Sequence, residues 1–209
     1  RLPPLPRLEW SEEGAPRASG FGDVYFSDAG GHAESEFVFL QGTGLPNAWR
    51  GRDRFAICEL GFGSGLNILS AWRAWKATRE PHAALHISSI EAFPLARDDA
   101  ARALARFAGV ADLAEALLAR WPVRPYAPQR IWFERDRFAL TLFIGDAAQI
   151  LAGMHGEFDA WLLDGFAPSR NPAMWTPEIL RHVARLSAPD ARAATFSVGG
   201  DGGRGLRAG

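Results

Sequence analysis

The chain has 209 residues, of which 47% are hydrophobic and 22% are charged, with a formal net charge of -1. This composition is ordinary for a globular protein with one sizeable core, and the near-zero charge gives no overall attraction to nucleic acid. No apolar run is long enough to span a bilayer, and no signal-peptide pattern opens the chain. The single cysteine, Cys58, excludes a disulfide within the chain and favours the cytoplasm.

The first 54 residues predict an arm and a hairpin. Residues 1–20 are rich in proline and predict an extended arm. Short β patterns at residues 24–26 and 36–40 flank the turn Asp28-Ala-Gly-Gly31 and predict a β-hairpin. We expect this segment to pack on a main domain that follows it.

From residue 55 the pattern alternates between strand and helix. The predicted strands are 55–60, 85–90, 131–134, 138–144, 159–164 and 191–197, and the predicted helices are 67–76, 97–107, 110–120, 147–152 and 176–186. Such an order predicts a doubly wound, mostly parallel, Rossmann-like sheet with right-handed crossovers. We therefore expect one α/β domain over residues 55–209.

A glycine-rich segment joins the first of these strands to the first helix. Gly61, Gly63 and Gly65 alternate in the run from Glu59 to Asn67, where a side chain would block a close approach of the backbone to a nucleoside. The spacing differs from the dinucleotide fingerprint, and no basic phosphate anchor is nearby. With the acidic Glu59 before the glycines, it suits a cationic adenosine derivative such as S-adenosylmethionine. The alternative is a glycine-rich turn without a ligand.

Acidic residues follow the next three strands of the winding order. In open parallel sheets the ligand lies beyond the carboxyl ends of the strands. We expect Glu91 to accept hydrogen bonds from both ribose hydroxyls, unless it is a surface carboxylate. Asp146 could accept a bond from the adenine amino group, or could cap the helix that begins at Ala147. Asp164 is costly to bury and should face a polar cleft, which makes it the candidate for chemistry.

Other kinds of site are poorly supported. The five histidines show no metal-ligand spacing, a lone cysteine cannot form a thiolate zinc site, and no P-loop or serine elbow is present. Trp72 and Trp75 are three residues apart on a helix, which favours a core role. Trp175 lies in a polar loop after Asp164, where it could stack on a flat substrate or anchor the loop.

Four segments together resemble one family. Glu59–Asn67, Glu91-Ala-Phe-Pro-Leu95, Phe143-Ile-Gly-Asp146 and the run Leu162–Trp175 are similar to the methyltransferase domain of the bacterial tRNA 5-methylaminomethyl-2-thiouridine biosynthesis family, MnmC. The similarity extends in colinear order over about residues 8 to 207. The run with Asp-Gly-Phe-Ala-Pro and Met-Trp is far more specific than the glycine loop.

This resemblance implies a tRNA methyltransferase. The methyl of S-adenosylmethionine would move to the amine of a 5-aminomethyl group on the wobble uridine, with Asp164 orienting that amine. The cofactor contacts would be Glu59, Gly61, Gly63, Gly65, Asn67, Glu91 and Asp146. The substrate contacts would be Phe166, Pro168, Arg170, Asn171 and Trp175.

The chain departs from the family pattern at two places, and other functions stay open. Ala188-Pro-Asp-Ala191 replaces a Pro-Gly-Gly-type turn, and we expect the domain to be cut short of two closing strands. Some family members carry a fused flavin-dependent oxidase, so FAD would be needed only by a domain outside this chain. The alternatives are an N-methyltransferase for a small amine or protein, and a non-catalytic nucleoside-binding module.

Overall fold

The computed structural model describes residues 8–10, 16–18, 23–24, 39–121, 127–163 and 175–195. The first three segments form a small antiparallel sheet, in the order β1-β2-β3. Its strands are β1 Leu8–Trp10, β2 Pro16–Ala18 and β3 Asp23–Val24. The chain therefore has an N-terminal β extension, but two of its strands lie in the segment predicted as an extended arm, and the predicted turn at residues 28–31 lies outside the described residues. Pro16 is the first residue of β2, a position where a strand tolerates the missing N–H.

The predicted strand at residues 36–40 is wrong at residues 39 and 40, which are the part of it that the structure describes. Residues 39–42 are helical, and the amide of Thr43 donates to the carbonyl oxygen of Phe39 over 3.1 Å. Phe39 is buried in the main core. A short run of aromatic and aliphatic residues has no periodicity that separates a strand from a buried helical turn, so packing decides the outcome here.

The main sheet has six strands in the order β6-β7-β5-β4-β8-β9. All neighbouring pairs are parallel except β6 and β7, which form an antiparallel hairpin. This confirms the doubly wound, mostly parallel prediction. The strands are β4 Arg54–Leu60, β5 Ala84–Glu91, β6 Gln129–Phe133, β7 Phe138–Ile144, β8 Phe158–Leu163 and β9 Ser187–Thr195.

The order of the strands creates one switch point. The chain moves outward from β4 through β5 to β7 and then returns to β8, on the opposite side of β4. Ligands of open α/β sheets bind outside the carboxyl ends of the strands at such a point. We call the ends of β4, β5 and β7, at Leu60, Glu91 and Ile144, the carboxyl edge.

Five helices of the described residues from 54 onward flank the sheet, and the core divides between its two faces. The helices are α1 Leu66–Thr78, α2 Arg97–Leu104, α3 Ala111–Leu118, α4 Ala147–Gly153 and α5 Pro177–Arg185. The larger cluster lies under α1, α2 and α3, and it contains Trp72 and Trp75, which confirms their core role. Their indole N–H groups donate to the side chain and backbone of Asp136. A smaller cluster around Trp161 lies under α4 and α5.

Strand β9 begins four residues earlier than its pattern predicts. Pro189 lies inside this strand, where the sequence suggested a turn. A register shift interrupts its pairing with β8 between Phe158 and Ala160. Proline is tolerated in edge strands and at such irregularities because no ladder N–H is lost there.

No helix in the described part of the chain has the length and apolar character needed to cross a bilayer.

Candidate functional site

The glycine loop crosses the end of β4 in a backbone conformation that favours glycine. Gly61, Gly63 and Gly65 have φ values of 96°, 52° and 82°. A Cβ atom on Gly65 would lie 3.1 Å from Leu117 and 3.2 Å from Phe62, closer than ordinary packing allows. The amide of Gly61 donates to Ile90 over 2.9 Å, which ties the loop to β5. The glycines are therefore required by the turn itself, whether or not a ligand lies above it.

Glu59 lies beneath this loop and is fully buried. Its Oε1 accepts a hydrogen bond from Nδ2 of Asn67 over 3.2 Å, and its Oε2 accepts one from the hydroxyl of Ser89. The carboxylate thus joins β4, α1 and β5 at the carboxyl edge. A buried carboxylate held by such donors is an acidic group of fixed position.

Glu91 ends β5 and is 8% exposed. Its Oε2 accepts from the amide of Gly63 over 2.9 Å, and its Oε1 accepts from the amide of Phe93 over 2.8 Å. Burial raises the pKa of this carboxyl above its ordinary value, against the opposing effect of these backbone donors. The expectation that Glu91 is a plain surface carboxylate is therefore excluded. The backbone amides of Ala92 and Phe62 oppose this rise in pKa as well, so several donors surround the carboxylate at the carboxyl edge.

Asp146 follows β7 and caps α4. Its Oδ1 accepts a hydrogen bond from the amide of Gln149 over 2.9 Å, which is the N-cap geometry. The capping interpretation of this residue is thus confirmed. The residue is exposed at the same edge as Glu91, because Ile144 pairs with Glu91 across the β5–β7 ladder.

The substrate side of the predicted site is only partly described. Asp164, Phe166, Pro168, Arg170 and Asn171 lie outside the described residues. The preceding residue, Leu163, pairs with Leu60 at the end of β4.

Trp175 is described, is half-buried, and packs against the smaller core cluster. That contact is what loop anchoring requires. The stacking role remains a prediction.

Sequence reasoning missed Ser89. This residue is fully buried, and its hydroxyl holds one oxygen of Glu59. The available signal was a serine pair inside an apolar strand, since a buried hydroxyl must find a partner. On the same strand pair, burial and then the neighbouring Glu59 raise the pKa of the Cys58 thiol well above its ordinary value. Cys58 is therefore not a thiolate nucleophile at neutral pH.

The described residues also form a cavity away from the carboxyl edge. A cavity of about 590 Å³ lies at the opposite, amino end of the sheet. Its lining mixes three arginines, Arg52, Arg54 and Arg192, with the carboxylates of Asp159 and Asp190. Within the described segments, no cluster of histidine, cysteine and acidic side chains could hold a metal ion.

Comparison with known proteins agrees with this geometry. Residues 108–208 match the sequence model of a family described as S-adenosyl-L-methionine-dependent methyltransferase. A Maricaulis maris protein named tRNA 5-methylaminomethyl-2-thiouridine biosynthesis bifunctional protein MnmC is 47% identical over 199 residues, which cover 95% of this chain. Nearly the whole chain is thus similar to one part of an MnmC protein. A Caulobacter sp. (strain K31) protein of the same name is 48% identical over 96% of the chain.

These relatives are much longer than this chain, which covers 34% of both proteins named above. The chain thus spans about a third of their length. Among solved structures, the crystal structure of MNMC2 from Aquifex aeolicus superimposes with a TM-score of 0.71. That match covers 92% of this chain and 60% of the other at 22% identity, and it supports the fold.

Proposed function

We propose that this chain binds S-adenosylmethionine at the carboxyl edge and methylates the amine of a 5-aminomethyl group on the wobble uridine of tRNA. The observation that carries the proposal is the sequence identity of 47% and 48% to two proteins named for 5-methylaminomethyl-2-thiouridine biosynthesis. That nucleoside carries a methylamino group, so its formation includes a step that adds a methyl to an amine. The glycine loop and the carboxylates around it supply a site for the methyl donor.

The residues at this edge fit an adenosine derivative that bears a positive charge. Glu91 is a buried carboxylate at the end of β5, an acceptor group of fixed position that suits the two neighbouring hydroxyls of a ribose. Asp146 is exposed beside it and can accept from the adenine amino group while still capping α4. Glu59 places an acidic side chain below the loop, and the glycines leave room for a close approach because they have no side chains.

The chemistry needs alignment more than activation. S-adenosylmethionine, when bound, supplies a methyl group on a positively charged sulfur. The amine of the nucleoside must be deprotonated to attack this carbon in line, so that a nitrogen–carbon bond forms as the carbon–sulfur bond breaks and a proton leaves the nitrogen. Positioning and exclusion of water then provide most of the rate.

Asp164 is proposed to hold this amine. A carboxylate that accepts a hydrogen bond from the amine would orient its lone pair and accept the departing proton. Phe166, Pro168 and Trp175 would enclose the extruded uracil, and Arg170 and Asn171 would contact the nucleotide around it. The position after Leu163, whose strand adjoins β4 at the switch point, supports this assignment.

The partners follow from the same proposal. tRNA is the substrate, and the cytoplasm is the compartment in which it would be modified. The relatives are named bifunctional and are about three times as long as this chain. We propose that a flavin-dependent oxidase with FAD, fused or separate, prepares the amine.

Transfer of labelled methyl tests the proposed function. The chain is incubated with methyl-labelled S-adenosylmethionine and, in separate reactions, tRNA with the unmethylated 5-aminomethyl uridine, fully modified tRNA, small primary amines and a protein mixture. Label in the first tRNA alone is the expected result, and Asp164→Ala should abolish most of it without weakening binding of the donor. Label in small amines or protein would assign another acceptor, and binding without transfer to any acceptor would indicate a nucleoside-binding module.

A further inference from the structure

One half of a sheet face carries polar side chains that no described helix covers. His86 on β5 pairs with Ala139, which pairs with Trp132 on β6, so these side chains lie in one row on the same face. Ser88, Thr141 and Arg130 form the next row by the same pairing. His86, Ser88 and Thr141 are half-buried, whereas Arg130 and Trp132 are exposed.

The opposite face of the same strands is fully packed. Ile131, Phe133, Leu140 and Leu85 alternate with the uncovered residues and are buried in the larger cluster. On the uncovered face, α4 reaches only the carboxyl ends of the strands, where Ile90 is buried. We call the uncovered residues Arg54, His86, Ser88, Arg130, Trp132 and Thr141 the open strip.

The end of the open strip at Arg130 is electropositive. Arg130 donates from Nη2 to Nδ1 of His86 over 3.1 Å, so the imidazole accepts and is neutral in this arrangement. Burial, then Arg130, then Arg54 lower the pKa of His86 from its ordinary value of 6.5. Two guanidinium groups therefore act on one ring. At Arg54 the strip adjoins the carboxylates of Glu157, Asp159 and Asp190 in the cavity at the amino end of the sheet, so the excess of positive charge is at the Arg130 end.

An exposed aromatic ring stands among these charges. Trp132 is 40% exposed, and it is one of two large hydrophobic side chains exposed among the described residues. At the same edge Nη1 of Arg120 donates to the backbone oxygen of Trp132 over 2.7 Å, while the guanidinium of Arg120 lies over the ring of Phe133 on the opposite face. Arginines beside an exposed aromatic ring on a sheet suit a partner with phosphates and flat bases.

We propose that the open strip is a docking surface for RNA, through phosphate contacts from Arg130 and Arg54 and base stacking on Trp132. The inference rests on the proposed function, because it assigns the face on which the tRNA substrate lies. A protein partner is less well matched, since the centres of protein interfaces are apolar and depleted of charge. Here the centre of the strip is His86, Ser88 and Thr141, flanked by arginines.

The strip lies within reach of a nucleic acid bound at the carboxyl edge. Arg130 pairs with Thr141, three residues before the end of β7, which is about 10 Å from that edge. Arg54 begins β4, six residues before Leu60, about 20 Å from the edge. A stem whose loop enters the site could therefore lay its backbone along the strip.

Matched double variants test this surface. R130Q/W132A removes one charge and one exposed ring from the strip. L180A/R181Q removes one charge and the other exposed large side chain from the outer side of α5, since Leu180 is 46% exposed and Arg181 is exposed. Binding of bulk tRNA to the 209-residue chain is measured by filter retention at several salt concentrations, after binding of S-adenosylmethionine has shown that each variant is folded.

We expect R130Q/W132A to weaken tRNA binding by about tenfold or more and to reduce the salt dependence by about one counterion. The control should stay within about twofold of the unmodified chain. Equal affinities of the two variants, or no binding of tRNA by the unmodified chain, would overturn the proposal. Normal tRNA binding by R130Q/W132A with lost affinity for a separately supplied oxidase polypeptide would overturn it in favour of protein docking.

Failure of the proposed function gives a different pattern. If the chain binds tRNA through the strip but transfers no methyl to it, the docking surface is supported and the proposed methyl transfer is rejected. If tRNA is methylated and both variants bind it equally, the proposed methyl transfer is supported and the docking surface is rejected. In the expected case R130Q/W132A raises KM for tRNA and leaves kcat at saturating tRNA unchanged.

Discussion

The backbone amide of Gly63 donates a hydrogen bond to Oε2 of Glu91 over 2.9 Å, across 28 residues of sequence. This bond joins the glycine loop after β4 to the carboxylate that ends β5. The second oxygen of Glu91 holds the amide of Phe93. Glu91 therefore holds the shape of the loop at the place where we propose that a ribose binds.

Glu91→Gln should weaken binding of S-adenosylmethionine. The amide nitrogen that replaces one oxygen cannot accept from a backbone N–H or a ribose hydroxyl, so at least one charge-assisted hydrogen bond is lost. We expect a loss of about 10- to 100-fold in affinity, measured by isothermal titration calorimetry. Glu157→Gln, at an exposed carboxylate at the other end of the sheet, is the control. An affinity unchanged by Glu91→Gln would remove this residue from the ligand site.

Gly65→Ala should destabilise the chain more than Gly51→Ala does. Both glycines have positive φ, 82° and 70°, so both substitutions carry the cost of about 1–2 kcal/mol for a left-handed conformation. Only Gly65 adds a steric cost, because its Cβ would meet Leu117 and Phe62, whereas a Cβ on Gly51 meets nothing within 4 Å. Urea denaturation of the two variants gives the difference. Equal free energies of unfolding would mean that the loop relaxes around the methyl group.

Asp146→Ser separates the two roles assigned to Asp146. Serine can cap α4 but is too short to reach an adenine amino group, so stability should be retained while affinity for S-adenosylmethionine falls. Asp146→Ala should lose both, with about 1 kcal/mol in the free energy of unfolding. Thr176 caps α5 by accepting from Ile179, and Thr176→Ala should cost stability alone. Full affinity in Asp146→Ser would leave the residue as a cap only.

The pH dependence of His86 reports on the open strip. Because the folded pKa lies below 6.5, His86 contributes stability that is complete above pH 6.5 and is lost as pH falls through the folded pKa. The charged groups that face the ring are Arg130 and Arg54. Arg130→Gln should move the pKa of His86 up toward 6.5, followed by NMR of the imidazole during titration. A pKa that does not respond would show that Arg130 exerts no field on the ring.

The sequence predicted strands and helices correctly wherever a buried face requires apolar residues at the spacing of that element. Strand β4 and helix α1 agree with their sequence patterns to within two residues, because Ile57 and Leu69 belong to runs that must be buried. The short aromatic run ending at Phe39 had no such constraint, and the core contact of Phe39 selected a helical turn. Pro189 suggested a turn, but an edge strand with a register shift accommodates it.

The site was predictable in its positions and less so in its contacts. Strand order brings Glu59, Glu91 and Asp146 to one edge, as the rule for parallel sheets requires. The hydroxyl of Ser89 on Glu59 could not be foreseen, since it depends on the register of β4 against β5. The donors to Glu91 depend in the same way on loop conformation, which glycines leave open.

Nucleoside analysis of the treated tRNA tests whether the chain methylates the amine of the wobble uridine. tRNA with 5-aminomethyl-2-thiouridine at the wobble position is treated with the chain and S-adenosylmethionine, digested to nucleosides and examined by mass spectrometry. We expect this nucleoside to gain the mass of one methylene on its amine, and we expect the Glu91→Gln variant to need more S-adenosylmethionine for the same conversion. An unchanged nucleoside, or a methyl on a ribose or a different base, would contradict this expectation.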